Sequence, residues 1–388
     1  MSELEVNSLT RALQARRTQG LPILDLICTN PAEVGLGWEH KELAPLLGLP
    51  GCERHEPDPL GLPQAREAIR DYLSARGARL PIEQIGLSAS TSEAYAWWFR
   101  LLAEPGDNLL VPEPAYPLIN LLAAHARVEV RPYRCVWDGA HWAIDAATLK
   151  PNARTRAIVV IAPANPTGHS PHAADLKLIA QACKQAASGC AVLMDEVFLD
   201  YRADDTAPKS LIGSDILAEC PRVVLSGLSK VALTPQLKVG WSAVAGPASW
   251  VGATMERWAH LADTFLSVNM PAQLALPALL AQAPAKRTLV KARCKRNAEL
   301  VHAWCKGSGT GCGAIIPQAG WSLILQLPRG VEEVALTLRA VEEGVSLHPG
   351  HYYDLGPEVG PCVVLSLITP PATLTQGLEA LARALARS

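Results

Sequence analysis

Three continuous apolar runs in the middle of the chain constrain its fold more than any other feature. They occupy residues 157–163, 190–194 and 223–225, and a segment with helical character at 173–187 separates the first two. Apolar, β-branched runs without polar alternation are typical of strands buried on both faces. Strand, helix and strand in succession is the repeating unit of a parallel sheet. The sequence therefore predicts an α/β fold around a mainly parallel sheet flanked by helices.

Each of these runs is followed by a polar side chain that suits ligand chemistry. Asn165 follows the first run, Asp195 follows the second, and Lys230 follows the third within Ser-Gly-Leu-Ser-Lys. Ligands of parallel sheets collect at the carboxyl ends of the strands, so one crevice is expected to receive all three. A lysine in that position can hold its amine against a bound aldehyde as a Schiff base.

Ordinary explanations compete with this interpretation when each residue is taken alone. Most lysines are solvated surface charges. The sequence Asn-Pro-Thr-Gly at Asn165 is also a common turn. Asp195 could be a helix cap or a surface carboxylate, although an acid that ends an apolar strand needs a buried partner. Only the combination and spacing of the three residues favour a shared site.

A phosphate seat is predicted at Ser90, Thr91 and Ser92, which open a helix with an apolar face. The unpaired amides and the positive dipole end of a helix start attract a dianion. Plain N-capping explains the same hydroxyl residues, and by itself it is the simpler interpretation.

Bulk composition excludes several classes of protein. With 388 residues the chain suits one large domain and a smaller one. A formal net charge of −2 argues against a nucleic-acid or anionic-membrane partner. No run of eighteen apolar residues occurs, and residues 1–17 lack the apolar centre of a secretory signal, so we expect a cytoplasmic protein. The ten cysteines form no Cys-x-x-Cys pair and the histidines show no ligand spacing, so no metal site is predicted.

Together these motifs resemble the class I/II aminotransferases, which are pyridoxal-phosphate-dependent enzymes of fold type I. The resemblance runs from about residue 24 to residue 382 and includes GLPQAREAIRDYL, NPTG, SGLSK, PQAGWSLIL, EEGVSLHPGHYYDL and VVLSLITPP. It implies a large domain with a mainly parallel sheet and a smaller α/β C-terminal domain. The expected divisions are an N-terminal arm that joins the small domain (1–45), a large cofactor-binding domain (46–279) and a small domain (280–388).

The resemblance also implies a role for individual residues toward pyridoxal 5′-phosphate. Lys230 would hold the cofactor as a Schiff base and move the substrate proton, while Asp195 would face the ring nitrogen and Asn165 the ring oxygen. The remaining expected contacts are ring stacking by Tyr116, a contact with the ring by Phe198, phosphate binding by Ser90, Thr91, Ser92, Ser229 and Lys238, a phosphate contact from the neighbouring subunit by His55, and a substrate pocket formed by Thr29, Asn30, Asn165 and Trp321.

Four departures from the family pattern limit these expectations. His55 stands at the position nearest the family's tyrosine, and Lys238 replaces an arginine, which keeps the charge but loses the two-pronged fork. Phe198 replaces a tyrosine that donates to the ring oxygen. Asn165 would then be the only donor to that oxygen, unless the Tyr201 hydroxyl also reaches it. Val364 stands where most members carry the arginine that binds the substrate carboxylate. Loss of such a pair typically costs about 2–5 kcal/mol of binding.

The leading hypothesis is an aminotransferase that moves an amino group between an amino acid, or a related amine, and a 2-oxo acid through a Lys230 aldimine. It implies a homodimer with shared active sites, small-molecule partners and a place in amino acid metabolism or biosynthesis. The alternative is other chemistry on the same scaffold: a lyase, decarboxylase, racemase or condensing enzyme. A third hypothesis is a ligand-sensing regulator that uses this fold without turnover, but no basic DNA-binding module is expected before Leu24. Substrate choice is expected to depend on loops around Asn30, Trp38, Trp321 and Tyr352.

Overall fold

An eight-stranded sheet forms the centre of the computed structural model, which describes residues 7–204, 206–266 and 268–387. The strands of the described chain are β1 (Leu24–Asp25), β2 (Ile85–Ser88), β3 (Asn108–Glu113), β4 (Glu129–Trp137), β5 (Trp142–Ile144), β6 (Thr155–Ile161), β7 (Ala191–Asp195), β8 (Arg222–Gly227), β9 (Gly240–Ala245), β10 (Gly313–Ile315), β11 (Ser322–Gln326), β12 (Val345–Ser346), β13 (His348–Pro349) and β14 (Cys362–Ser366). The helices are α1 (Ser8–Thr18), α2 (His40–Leu47), α3 (Pro63–Ser74), α4 (Thr91–Leu102), α5 (Leu118–His125), α6 (Ala173–Gln185), α7 (Leu228–Val231), α8 (Ala248–Phe265), α9 (Met270–Gly307), α10 (Glu333–Glu342) and α11 (Pro371–Ala386).

The central sheet has the order β2-β9-β8-β7-β6-β3-β4-β5. Neighbours pair in parallel from β8 through β7, β6 and β3 to β4, and antiparallel pairs close both edges. The predicted mainly parallel sheet is therefore confirmed. All three apolar runs that suggested it lie in its interior, as β6, β7 and β8.

Helices cover both faces of this sheet because successive strand residues point to opposite sides. In β6, Ile158 and Val160 pack in the core shared with α3, α6 and α9, whereas Val159 packs in the core shared with α4, α5 and α8. A strand with both faces buried accommodates few polar side chains, because each one needs a buried partner. Chemistry-bearing residues are consequently confined to its ends.

The C-terminal third builds a second, antiparallel sheet of order β10-β11-β14-β13. Its core includes residues of α10 and α11 together with Leu26 from the N-terminal segment. β1 pairs in parallel with β12, with Leu24 opposite Val345, which attaches this segment to the C-terminal third. The proposed limits 1–45, 46–279 and 280–388 stay a prediction, and the last boundary falls inside α9.

The sequence pattern predicts a helix over residues 285–304, and in the structure this helix, α9, begins fifteen residues earlier. Its start is set by Asn269, whose side-chain oxygen accepts a hydrogen bond from Ala272 N at 2.9 Å. Pro277 and Pro284 lie inside the helix, and their breaker character explains why the sequence suggested a later start. The spacing of apolar residues also predicts an amphipathic segment at 2–15, which corresponds in part to α1, while residues 2–6 lie outside the described range. Among the described helices, none has both the length and the apolar character that crossing a bilayer requires.

Leu26 is expected to be a principal attachment of the N-terminal segment. It is fully buried, and a Cβ added to Gly377 of α11 would lie 2.7 Å from Leu26 Cδ1, so a larger residue there would crowd the Leu26 side chain. Leu26→Ala should lower the free energy of unfolding by about 2–5 kcal/mol through lost burial and a cavity. Equilibrium urea unfolding measures the loss. Leu21→Ala, at a 45% exposed position of the same segment, is the matched control and should change stability by less than about 0.5 kcal/mol. Equal losses in both variants would show that Leu26 does not anchor this segment.

Candidate active site

The polar residues predicted to converge lie at one edge of the central sheet. Asp195 is the last residue of β7 and is aligned with Ile161 at the end of β6 and with Leu225 in β8. Asn165 follows four residues after the end of β6, and Lys230 follows three residues after the end of β8. These three strands are parallel neighbours, so their carboxyl ends open to the same crevice.

Lys230 occupies α7, a helix of only four residues that directly follows β8. Its Nζ lies 4.6 Å from the ring centroid of Trp321 and 5.6 Å from that of Phe198. Within the described chain, Nζ makes no hydrogen bond or ion pair. Burial lowers the pKa of Lys230 to about 8, and the electrostatic effect of Cys28 opposes this shift. Roughly a tenth of the amine is therefore neutral and nucleophilic at pH 7, and about half is neutral at pH 8.

The Asp195 carboxylate is held by two donors. Tyr95 Oη donates to Oδ2 at 3.0 Å, and Val197 N donates to Oδ1 at 3.1 Å. Burial raises the pKa of Asp195 to about 6, and the two hydrogen bonds oppose that shift. The carboxylate is accordingly ionised at neutral pH and able to balance a cation in the crevice.

Tyr95 is a site residue that the sequence interpretation missed. It lies in α4, one helical turn after Thr91, and is 3% exposed. Its helical spacing from the predicted phosphate seat was a usable signal, because residues four apart share a helix face. The helix is apolar and rich in tryptophan, however, so its pattern predicts only a core aromatic residue at position 95.

Asn165 links the edge of the central sheet to the second sheet. Ser322 Oγ, in β11, donates to Asn165 Oδ1 at 2.9 Å. This contact leaves the Asn165 amide Nδ2 without a partner among the described residues, available to a ligand in the crevice. Ser322 directly follows Trp321, so the strand that places the indole beside Lys230 is the strand that fixes Asn165.

The N-terminus of α4 approaches the sheet closely at the predicted phosphate seat. A Cβ on Gly240 of β9 would lie 2.6 Å from Ser90 C and 2.7 Å from Thr91 N, so only glycine permits this approach. Ser90 acts as the N-cap, its Oγ accepting from Glu93 N at 3.0 Å, and Thr91 Oγ1 donates to Ser226 O at 3.4 Å. Ser90 thus caps α4, and the same helix start is available as the predicted phosphate seat.

The other predicted contact residues are less closely tied to the crevice. Ser229 precedes Lys230 in α7, whereas Lys238 is exposed with a left-handed backbone. Tyr116 is 50% exposed, and His55 and Thr29 are exposed. No hydrogen bond, ion pair or ring contact of the described residues joins any of Lys238, Tyr116, His55 and Thr29 to Lys230 or Asp195.

Asn30 and Tyr201 use their polar atoms differently from the sequence expectation. Asn30 Nδ2 donates to Glu33 Oε1 at 2.8 Å, and Asn30 Oδ1 accepts from Ala32 N at 3.2 Å, as in an ordinary turn. Tyr201 was suggested as a substitute donor to a ring oxygen. Its hydroxyl instead donates to the backbone carbonyl of Lys230 at 2.6 Å, because the ring packs beside Trp321 and Phe198.

A family model, two curated relatives and a solved structure that match this chain are described as aminotransferases. The family model described as aminotransferase class I and II matches residues 51–381. Glutamate-pyruvate aminotransferase AlaA of Escherichia coli strain K12 is 30% identical over 268 residues, which are 68% of this chain and 64% of that protein. Nicotianamine aminotransferase 1 of Oryza sativa subsp. japonica is 33% identical over 233 residues, which are 58% of this chain and 45% of that protein.

Among solved structures, the alanine aminotransferase from Pyrococcus furiosus superposes with a TM-score of 0.88 at 21% identity, and 100% of both chains is covered. That similarity is one of fold. In sequence, the chain spans less than two thirds of the length of the two relatives named above.

Replacing Tyr95 should reveal its effect on Asp195. Tyr95→Phe removes a hydrogen bond that lowers the Asp195 pKa, so the pKa should rise above its native value of about 6. A carboxylate is ionised above its pKa, so affinity for pyridoxal phosphate should fall about fivefold to tenfold near pH 6.5 and recover toward pH 8.5. Fluorescence titration across this pH range provides the measurement. Tyr133→Phe, which removes a hydroxyl bonded to Val159 O, is the control. A loss that is equal at every pH would contradict the role given to Tyr95.

Proposed function

The chain belongs to the aminotransferase class I and II family, and from that premise we propose that it moves an amino group between an amino acid, or a related amine, and a 2-oxo acid. The observation that carries the proposal is the Lys230 amine, whose pKa is lowered to about 8 at the same sheet edge as the Asp195 carboxylate. An unprotonated amine and a carboxylate in one crevice are what the chemistry of this family requires.

The residues present fit pyridoxal 5′-phosphate, the cofactor of this family. Lys230 offers a primary amine for its aldehyde, Asp195 an anion for its ring nitrogen, and Asn165 an amide Nδ2 that lacks a partner among the described residues. The start of α4 offers a dianion seat beside Gly240, with Thr91, Ser92, Ser229 and Lys238 as its proposed side-chain donors. When bound, the cofactor supplies an electron sink for the bond that breaks at the substrate Cα.

The chain's own groups have distinct tasks in the proposed reaction. With the cofactor bound, the Lys230 amine would hold it at rest and would accept and return the proton at the substrate Cα. Asp195 stays ionised above pH 6 and, with Tyr95 donating to it, keeps a cation opposite it stable. Trp321 and Phe198 exclude water from the amine and so sustain its lowered pKa.

Two further properties belong to the proposal. His55 is exposed in a single chain and available to a second copy, in keeping with a homodimer whose active sites are shared. The location proposed is cytoplasmic. Size measurement at working concentration tests the first property, and a wholly monomeric yet fully active protein would exclude it.

Small amino acids are the proposed substrates. Relatives at 30% identity are named glutamate-pyruvate aminotransferase and alanine aminotransferase, and we extend those substrates to this chain only as the first ones to test. The alternative, a lyase, decarboxylase, racemase or condensing activity, is favoured by Val364, which is 3% exposed and offers no charge to a carboxylate.

His348 is the proposed partner of the substrate carboxylate. It lies directly opposite Val364 in the β13–β14 pair, so the two side chains share a sheet face with Ile324. Its Nδ1 lies 2.9 Å from Tyr353 Oη, which directs the other ring nitrogen away from that hydroxyl. Burial lowers the His348 pKa, and the Asp25 carboxylate opposes the shift. A bound carboxylate would restore the proton.

Transamination itself is tested by incubating the cofactor-loaded protein with L-alanine and 2-oxoglutarate and measuring pyruvate and glutamate. Lys230→Arg should lower kcat by about 10³-fold, because the proton-transfer group is lost. Lys306→Arg, at an exposed position of α9, is the control and should leave kcat unchanged. Consumption of the amino acid without any 2-oxo acid product would instead support the lyase or decarboxylase alternative.

Replacing His348 should raise KM rather than lower kcat. His348→Leu removes a charge-assisted hydrogen bond, so KM for the amino acid should rise about 10-fold to 100-fold. In the unaltered protein KM should increase with pH, because the protonated imidazole that binds a carboxylate is lost above its lowered pKa, and this slope should vanish in the variant. Steady-state kinetics between pH 5.5 and pH 8 measure both effects, with the exposed His302→Leu as the control. An unchanged KM would assign the carboxylate to another group.

A further inference from the structure

Three consecutive backbone carbonyls at Lys230 each accept a hydrogen bond from a side chain. Tyr201 Oη donates to Lys230 O at 2.6 Å, Arg287 Nη1 donates to Val231 O at 2.8 Å, and Trp38 Nε1 donates to Ala232 O at 2.6 Å. The three donors come from the segment after β7, from α9 and from the N-terminal segment. Parts of the chain that are distant in sequence thus meet on one turn.

The local geometry explains why these donors are needed. The last carbonyls of a helix have no intrahelical partner, and α7 is so short that almost all of its carbonyls are last ones. Leu228 O is satisfied by Ala232 N at 3.0 Å and by Thr234 N at 3.2 Å, whereas carbonyls 230, 231 and 232 accept from side chains. Val231 and Ala232 are at most 1% exposed, so water does not replace the missing donors.

Arg287 is itself fixed by a buried ionic network. It lies 3.4 Å from Asp200 Oδ2, and Asp200 also accepts from Arg76 Nε at 2.9 Å and from Tyr72 Oη at 3.0 Å. Asp200 and Tyr201 are adjacent, so one short segment supplies both the anchor of Arg287 and a direct donor to Lys230. The same segment begins at Asp195, five residues before Asp200. It therefore links the Asp195 carboxylate to the turn that carries Lys230.

Trp38 connects the same turn to the N-terminal segment. Lys286 Nζ lies 5.4 Å from its ring centroid and forms an ion pair of 2.6 Å with Glu42. Earlier in this segment, Cys28 O accepts from Ser366 Oγ of β14 at 2.6 Å. The segment is therefore attached to the second sheet at one end and to the Lys230 turn at the other.

We propose that Tyr201, Trp38 and Arg287 are positioning residues that hold the Lys230 turn at the distance its amine needs to reach an aldehyde anchored by its phosphate at the start of α4. This inference rests on the proposed function and extends it. The phosphate seat and the lysine lie on different elements, so the bond between amine and aldehyde forms only if both are held in register. Misplacement of a reacting group by about 1 Å can lower a rate 10²-fold.

The test compares two cofactor forms that differ only in the aldehyde. Pyridoxal 5′-phosphate reports phosphate binding and attachment to Lys230 together, whereas 4′-deoxypyridoxine 5′-phosphate lacks the aldehyde and reports phosphate and ring binding alone. In Tyr201→Phe and in Trp38→Phe, the Kd of the aldehyde form should rise about fivefold, the effect of one lost hydrogen bond. The Kd of the deoxy form should change by less than about twofold.

Matched controls remove hydrogen bonds of the same kind elsewhere. Tyr133→Phe removes a buried hydroxyl that donates to Val159 O, and Trp98→Phe removes an indole N–H that donates to Ser242 Oγ. Neither should change the Kd of either form, although both remove a buried hydrogen bond. Arg222→Met, at the opposite end of β8, is the control for Arg287→Met. The arginine variants risk the fold, and Trp38→Phe also loses ring volume, so Tyr201→Phe, which removes only a hydroxyl, decides the outcome.

Parallel weakening of both cofactor forms in Tyr201→Phe and Trp38→Phe would show a general structural role, and no weakening of either form would show no role. Both results overturn the proposal.

A measurement without cofactor separates this inference from the proposed function. In the free protein, the rate at which acetic anhydride labels Lys230 should rise at least about threefold in Tyr201→Phe and Trp38→Phe, because the turn that buries the amine is loosened. The two controls should label at the unaltered rate. If borohydride reduction with pyridoxal phosphate leaves Lys230 unmodified, the proposed function fails, and the labelling rates then decide alone whether these side chains hold the turn. Equal labelling in all variants would overturn the positioning role.

Discussion

Removal of the Lys230 amine from water is the physical constraint on which the site depends. An amine is an effective nucleophile only when it is unprotonated, and at an exposed surface its pKa lies far above neutrality. Here burial lowers it to about 8, with the rings of Trp321 and Phe198 as its nearest aromatic surroundings. Desolvation in turn requires that the surrounding backbone be satisfied without water. The side-chain donors on carbonyls 230, 231 and 232 meet this requirement.

The parallel sheet explains why an acidic and a basic side chain lie at the same edge. Strands buried on both faces confine polar groups to their ends, and parallel pairing brings equivalent ends to one edge. Asp195 and Lys230 consequently share an edge although they are far apart in the chain. Burial acts on the two groups in opposite chemical directions, raising the carboxyl pKa to about 6 and lowering the amine pKa to about 8. Between these values the site holds a carboxylate and a partly neutral amine.

Several elements were predictable from the sequence because they depend on local patterns. The apolar runs gave β6, β7 and β8 with small errors at their ends, and Ser90 was recognised as a helix start through its hydroxyl. Helix α9 was predicted too short, since Pro277 and Pro284 are local breakers whose effect the packing overrides. Tyr95 was missed because a tyrosine that donates to a buried carboxylate has the same sequence pattern as a tyrosine in an apolar core.

The sequence by itself determined the mainly parallel sheet, the edge at which polar groups gather, and the residue types available there. These depend on hydrophobic periodicity and on the order of residues along each strand, both of which are local. Only the tertiary structure decided that Tyr201 donates to Lys230 O rather than reaching a ring oxygen, that Ser322 occupies Asn165 Oδ1, and that Trp38 and Arg287 meet on the Lys230 turn. Hydrogen bonds between segments up to about two hundred residues apart depend on how helices and sheets pack, and no pattern within a short window specifies that packing.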